Sequence, residues 1–183
     1  MSSDAASKLL AELEREAKTT RRLLKRVPSD KLGWKPHPKS RSLGQLAAHV
    51  AGIPGNISRR VQSERMDVGK ASAAIAEPEP GADFVADLDA GVAQAREVLS
   101  GWNDADALVL FRVSHGDEEL FAMPRGEAIR TMLLNHWYHH RGQMTVYLRI
   151  LDVPVPAVYG RSADEEPRFG PEPPRQAPET GDR

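Results

Sequence analysis

The sequence contains no cysteine, which excludes disulfide bonds, thiolate metal ligands and a thiol nucleophile supplied by the chain itself. Any metal site must therefore use histidine, aspartate or glutamate. No apolar run approaches the roughly 20 residues that a membrane-spanning helix requires. The first residues, MSSDAASKLLAELERE, are charged throughout, unlike the basic and then apolar pattern of a secretion signal. We therefore expect a soluble, cytoplasmic protein.

The sequence also lacks a large excess of positive or of negative charge. Twenty-five lysines and arginines balance 26 aspartates and glutamates, for a formal net charge of −1. Such a surface has no global field to hold a nucleic-acid backbone or an anionic membrane. We expect a small-molecule substrate, with neither nucleic acid nor membrane as a partner. A length of 183 residues with 40% hydrophobic content suits one compact domain.

Four segments show the three- and four-residue apolar spacing of amphipathic helices. They cover approximately residues 4–27, 42–61, 84–101 and 124–151. The second begins with a capping box, in which the side chains of Ser42 and Gln45 satisfy each other's backbone amides. Pro54 lies inside that helix and removes the hydrogen bond to the carbonyl of Val50, so we expect a kink there.

Two segments lack helical spacing. Between the third and fourth helices, Val109, Phe111 and Val113 alternate with polar residues, and SHGDEE supplies a turn before LFAM. This pattern predicts a short hairpin or extended excursion. Residues 167–183 are rich in proline and too polar to pack by themselves, which predicts a disordered tail.

Three of the six histidines fall within the segment NHWYHHRGQ, residues 135–143. His136 and His140 are one helical turn apart and point the same way, on what the spacing predicts to be the apolar stripe. A metal ion with bonds of about 2.0–2.1 Å could be shared by both. Without any partner, a buried polar group costs roughly 1–3 kcal/mol. The alternative is that the pair consists of hydrogen-bonded core or dimer-interface residues.

His49 is the best candidate for a third ligand, because it lies at the border of the buried stripe of the second helix. Ligands on facing helices commonly project to a common point in helical bundles. Three imidazoles and a water would give the open coordination sphere typical of catalytic metal sites. Nitrogen ligands favour zinc, nickel, copper or iron over magnesium or calcium.

The remaining polar residues of this region have simpler interpretations. His139 is rotated by about 100° from His140 and is predicted to serve packing or an interface. Gln143 could hydrogen-bond a bound water or substrate, and Arg141 is expected to form a salt bridge or a subunit contact. His37 and His115 are expected to be exposed. The tryptophans are predicted to be core or interface anchors: Trp34, Trp102 and Trp137.

Two stretches carry a resemblance to a known family. LGWKPHPKSRSLGQLAAHVAGIPG and RGEAIRTMLLNHWYHHRGQMTVYLRILDVPVPAVYGRSADE resemble the DinB-like superfamily of small bacterial proteins, over most of residues 8–166. The most specific features are the single histidine after the capping segment and the H-x-x-x-H-R-G-Q run. The resemblance implies an all-α, up-down-down-up four-helix bundle over residues 1–166, commonly a homodimer. It also implies a divalent-metal site formed by His49, His136 and His140.

Relatives in that superfamily include mycothiol-dependent maleylpyruvate isomerase and bacillithiol S-transferases. The resemblance therefore implies a metal-dependent enzyme, either a transferase or isomerase with a low-molecular-weight thiol as co-substrate or a hydrolase. For such a site of nitrogen ligands we expect zinc or nickel, or else iron. Two alternatives stay open. The protein could be a non-catalytic metal-binding or stress-response protein, or the histidines could serve only the core and an interface. Since metal binding requires neutral imidazole, acidification through the ordinary histidine pKa of about 6.5 is expected to release the ion.

Overall fold

The computed structural model describes residues 4–71 and 75–166, so the predicted disordered tail lies outside the described residues. The helices of the described ranges are α1 (Asp4–Leu24), α2 (Leu43–Arg60), α3 (Val68–Ala71), α4 (Phe84–Ser100), α5 (Asp104–Leu108), α6 (Arg125–Ala128) and α7 (His136–Ile150). The strands are β1 (Arg65–Asp67), β2 (Leu110–His115) and β3 (Glu118–Pro124). A π-helical stretch, Ile129–Asn135, joins α6 to α7.

All four long helical segments predicted from apolar spacing are present. α1, α2 and α4 match the first three, and α6, the π-helical stretch and α7 together form the fourth. The capping box of α2 is confirmed, because the Ser42 hydroxyl accepts a bond from the Gln45 amide and the Gln45 side chain accepts one from the Ser42 amide, both at 3.0 Å. In the described ranges, no helix combines the length and the apolar character that crossing a membrane requires.

The predicted all-α fold class, an up-down-down-up four-helix bundle, is wrong. The structure is mixed, because a three-stranded sheet in the order β1-β2-β3 packs against the helices. The hairpin prediction is confirmed by the antiparallel pairing of β2 with β3. β1 pairs with β2 in parallel, with Arg65 opposite Arg112. Three residues are too few to show strand periodicity, so β1 could not be recognised from its own sequence.

The position of α2 is fixed by a close approach to α4. A Cβ atom added to Gly55 would lie 2.9 Å from the Cα atom of Gly91 on α4, which is closer than real Cβ atoms come. Glycine therefore allows the two backbones to pack directly. This packing on one side of α2 leaves its opposite side to face the π-helical stretch and α7.

A buried ion pair joins α7 to α1, and Tyr159 of the segment after α7 contacts both of its members. Arg141 is only 1% exposed and donates to the Glu16 carboxylate at 2.7 Å, which confirms the predicted salt bridge. The Tyr159 hydroxyl donates to the same carboxylate at 3.0 Å. The Tyr159 hydroxyl therefore ties the segment after α7 to the helices, and loss of one member of the ion pair would leave an uncompensated buried charge.

Candidate metal centre

The two histidines of α7 follow directly after the π-helical stretch. Beyond that stretch the fully buried face is formed by Trp137, Arg141, Met144 and Leu148. His136 and His140 are therefore half-buried beside the apolar stripe, and the prediction that they lie on it is wrong. A π-helical turn changes the angular position of every later residue, and such turns are frequent at functional sites. The stretch itself is anchored to α1, since Arg130 donates twice to Glu12 at 2.6 Å.

The three predicted ligands meet at one point. Nε2 of His49 lies 3.3 Å from Nε2 of His136, and Nε2 of His140 lies 2.8 Å from the same atom. All three donor atoms lie within 4.8 Å of one another. Tetrahedral bonds of about 2.0–2.1 Å place ligand nitrogens roughly 3.3 Å apart, so the group has the dimensions of a metal site.

Hydrogen bonds on the far side of two rings fix which nitrogen carries the lone pair. Nδ1 of His136 lies 3.3 Å from the carbonyl oxygen of Met132, and Nδ1 of His140 lies 2.7 Å from Oε1 of Gln143. Oxygens of these kinds accept, so both Nδ1 atoms must donate. In a neutral imidazole, Nε2 then carries the lone pair. The lone pairs of His136 and His140 point towards each other, an arrangement that a shared cation would stabilise.

The electrostatic environment keeps the rings neutral. Burial lowers the pKa of His49 to about 3, and the positive charge of Arg41 acts in the same direction. Burial likewise lowers the pKa of His140 to about 4, although the hydrogen bond to Gln143 acts in the opposite direction. The pKa of His136 is lowered by burial too, although its bond to the Met132 carbonyl opposes the shift. Neutral imidazole is the form that binds metal.

Trp137 connects the helix of His49 to the helix of the other two ligands. Its indole Nε1 donates to the backbone carbonyl of Val50 at 2.8 Å, and both residues are buried. Val50 is the residue whose carbonyl Pro54 leaves without its helical partner. The bond therefore satisfies an acceptor that the proline frees, one residue away from two metal-ligand positions. Pro54 lies inside a helix that continues to Arg60.

A cleft of about 580 Å³ opens beside the histidines. His49 and His136 line one end of it, together with Arg41. Its walls are mostly apolar, and its size falls within the usual range of small-molecule sites, about 300–1,000 Å³. Among the described residues, the clustered metal-binding side chains number three. A tetrahedral ion held by these three side chains would have a fourth position, which a molecule in the cleft could occupy.

Other residues singled out by sequence have mixed outcomes. The Gln143 side chain is hydrogen-bonded to the imidazole ring of His140, whereas the sequence suggested that it would bind a water or a substrate. His139 is exposed, with its ring centroid 4.9 Å from that of His140, and stands outside the ligand group. His37 and His115 are exposed as expected. Arg41 and the Met132 carbonyl were missed, because neither has a spacing that points to the site.

Comparison with known proteins establishes the family of the chain. The sequence model of the DinB family matches residues 1–173. The chain belongs to the DinB family. It is 30% identical over 169 residues to the uncharacterized protein YrdA of Bacillus subtilis (strain 168), covering 91% of this chain and 95% of that protein.

Solved structures show the same DinB fold. A DinB-like protein from Bacillus cereus ATCC 10987 superposes with a TM-score of 0.64 at 24% identity, over 82% of this chain and 95% of that one. A DinB-family member from Exiguobacterium sibiricum 255-15 gives 0.63 at 18% identity, over 90% and 99%. At such identities the similarity concerns the fold alone.

Proposed function

We propose that this DinB-family protein is a divalent-metal-dependent enzyme that transfers or isomerises a small molecule with the help of a low-molecular-weight thiol. The observation that carries the proposal is the convergence of three imidazole Nε2 atoms at the end of a cleft. Imidazole nitrogens bind zinc and nickel well, and they also bind iron. A bound divalent ion would lower the pKa of a thiol or water and so supply a nucleophile near neutral pH.

The residues of the chain supply binding and orientation. The Met132 carbonyl and the Gln143 side chain accept from Nδ1 of His136 and of His140, so that each ring would present Nε2 to the ion. Arg41 places a positive charge beside all three rings, and this charge favours an anionic ligand such as a thiolate. A substrate seated on the apolar walls would exclude water from this end of the cleft, which would strengthen these electrostatic interactions.

A non-catalytic metal-binding role is the main alternative. A purely structural site is usually closed by four protein ligands. The group found among residues 4–71 and 75–166 has three members and adjoins a cleft, an arrangement that favours catalysis. The proposal therefore concerns both metal binding and an exchangeable position on the metal.

Cobalt substitution tests both parts. Untagged protein should take up one Co²⁺ per chain, and a thiol added to it should produce the near-ultraviolet absorption of a cobalt–thiolate bond. The double variant His136→Ala, His140→Ala should lose the ion and the band. His139→Ala, an exposed neighbour in the same segment, is the matched control and should keep both.

Turnover is measured next, as thiol consumption in the presence of an electrophilic acceptor. Metal-loaded protein should accelerate thiol transfer over the uncatalysed rate, and the double variant should not. Full activity in the double variant would refute the enzyme proposal. Metal binding without thiol ligation or turnover would instead support the non-catalytic alternative.

A further inference from the structure

The cleft beside the histidines is elongated along α2. Its floor contains His49, Ile53, Ile57 and Arg60, which recur at intervals of four, four and three and therefore share one helix face. With a rise of about 1.5 Å per residue, the Cα atoms of His49 and Arg60 are roughly 16 Å apart along the axis. A ligand that fills the cleft is therefore a long molecule.

The two ends of the cleft are basic and its middle is apolar. Arg41 and two of the histidines line one end, while Arg60 lines the other. Apolar side chains form most of the surface between the ends, Asn56 is the one uncharged amide of the lining, and none of the lining residues is acidic. The apolar lining residues are Ile53, Ile57, Met66, Val68, Ile75 and Met132.

Arg60 has no carboxylate partner in the described part of the chain. Its neighbour Arg59 is exposed and donates to Asn56 Oδ1 at 2.9 Å, whereas Arg60 is half-buried and forms no ion pair among the described residues. Helical side chains lean towards the helix N-terminus, which here is the direction of His49. A guanidinium beside apolar walls is well suited to bind a carboxylate, because charge-assisted bonds strengthen where water is excluded.

We propose that the cleft binds an elongated substrate with an acidic group at the end distant from the histidines, and that Arg60 recognises this group. The apolar part of the substrate lies on Ile53, Ile57 and Met132. This inference rests on the proposed function in one respect, namely that the reacting end of the substrate lies at the histidines. Arg60 is then the residue that selects acidic substrates over neutral ones of equal length.

The test is a comparison of two ligands by calorimetry. 6-Mercaptohexanoate and 6-mercapto-1-hexanol have the same thiol and chain length and differ in the terminal acid. Each is titrated into the full chain, both zinc-loaded and metal-free, for the unaltered protein, Arg60→Met and Arg59→Met. The Arg59 variant has the same net charge as the Arg60 variant, with the substitution one residue away and outside the cleft lining.

The unaltered protein should bind the acid roughly tenfold more tightly than the alcohol, as expected for one charge-assisted contact. This ratio should fall to about one in Arg60→Met and persist in Arg59→Met, while affinity for the alcohol stays unchanged in both. Thermal unfolding of each variant checks that the fold is intact.

Equal affinities for acid and alcohol in the unaltered protein would overturn the proposal, as would a ratio that survives in Arg60→Met. Binding of neither ligand in either form would also overturn it. The metal dependence reports separately on the proposed function. If zinc changes neither affinity while the acid preference persists, metal–thiol chemistry is refuted and the role of Arg60 stands.

Discussion

At the residue scale, the three histidines are held in the state that binds metal, because burial opposes their protonation. The pKa values of His49 and His140 are lowered to about 3 and about 4. An ion at this site competes less with protons than at exposed histidines, whose pKa is about 6.5. Release of the ion is therefore expected at a lower pH than the sequence alone suggested.

The same shifts predict how the metal-free protein responds to acid. In the unfolded chain these histidines bind protons near pH 6.5, whereas in the folded chain His140 and His49 do so only near 4 and 3. Between these values the unfolded state holds more protons, so the free energy of unfolding should fall as the pH falls through this window. Urea unfolding at several pH values measures the slope.

Two variants separate this effect from other titrations. His49→Gln should flatten the slope, because one proton-binding difference between the folded and unfolded states is gone. His115→Gln, at an exposed histidine outside the candidate metal centre, is the matched control. An equally steep slope in His49→Gln would show that this ring is not kept neutral by the fold.

That His49, His136 and His140 belong to one cluster could be predicted from sequence, whereas the other residues of the cleft could not. His136 and His140 are one helical turn apart, so their contact can be predicted from their spacing in the sequence. His49 was selected for its place at the edge of a stripe. Arg41 and Arg60 belong to the cleft only because α2 faces the π-helical stretch and the sheet region, and such contacts leave no mark in local spacing.

At the scale of helices, the bond from Trp137 to the Val50 carbonyl links α2 to α7. Trp137→Phe removes the donor and leaves a buried carbonyl without a partner, which should lower the free energy of unfolding by about 1–3 kcal/mol. Metal affinity should fall as well, because the two ligand helices lose a direct link. Urea unfolding and zinc titration measure the two effects.

A proline replacement supplies the matched control. In a Pro54→Ala background, residue 54 regains an amide that can bond to the Val50 carbonyl. Trp137→Phe should then cost less than it does in the unaltered chain. Equal costs in both backgrounds would mean that the indole acts through packing alone.

The contact between α2 and α4 leads to a further prediction. Gly55→Ala should lower the free energy of unfolding by about 1–3 kcal/mol, because its Cβ would meet the backbone of Gly91. Gly142→Ala is the control, since Gly142 is exposed in α7 and a Cβ there would meet nothing within 4 Å. That change should stabilise by about 0.5–1 kcal/mol through helix propensity. Equal effects of the two substitutions in urea unfolding would contradict the close packing.

Helices and hairpin were predictable because their periodicity extends over many residues. The π-helical stretch was not, since Ile129–Asn135 has an ordinary amphipathic composition. Its effect was to move His136 and His140 from the predicted apolar stripe to its border. β1 was missed for a different reason, because it depends on pairing with β2 in a distant part of the chain.

At the scale of the whole molecule, the protein contains a small mixed sheet in addition to its helices, whereas the resemblance implied an all-α architecture. Association is a separate question, for which we propose a homodimer. Val146 and Ile150 are one turn apart on α7 and are 56% and 54% exposed. Exposed apolar side chains on one helix face favour contact with a second copy.

Light scattering after size-exclusion chromatography tests this proposal. The unaltered protein should have the mass of two chains, and the double variant Val146→Glu, Ile150→Glu should have the mass of one. Thr145→Glu, a half-buried neighbour on another face, should leave the mass unchanged. A monomer in every case would refute the dimer, and a dimer that survives the double substitution would exclude this face of α7.

The central claim is that His49 of α2 and His136 and His140 of α7 share one metal ion. The most direct measurement is a crystal structure of untagged, metal-loaded protein with diffraction data on both sides of the metal absorption edge. The claim predicts one anomalous peak about 2.0–2.1 Å from the Nε2 atom of each of the three rings. A peak bound by other residues, or no peak among the three rings at full metal occupancy in solution, would contradict it.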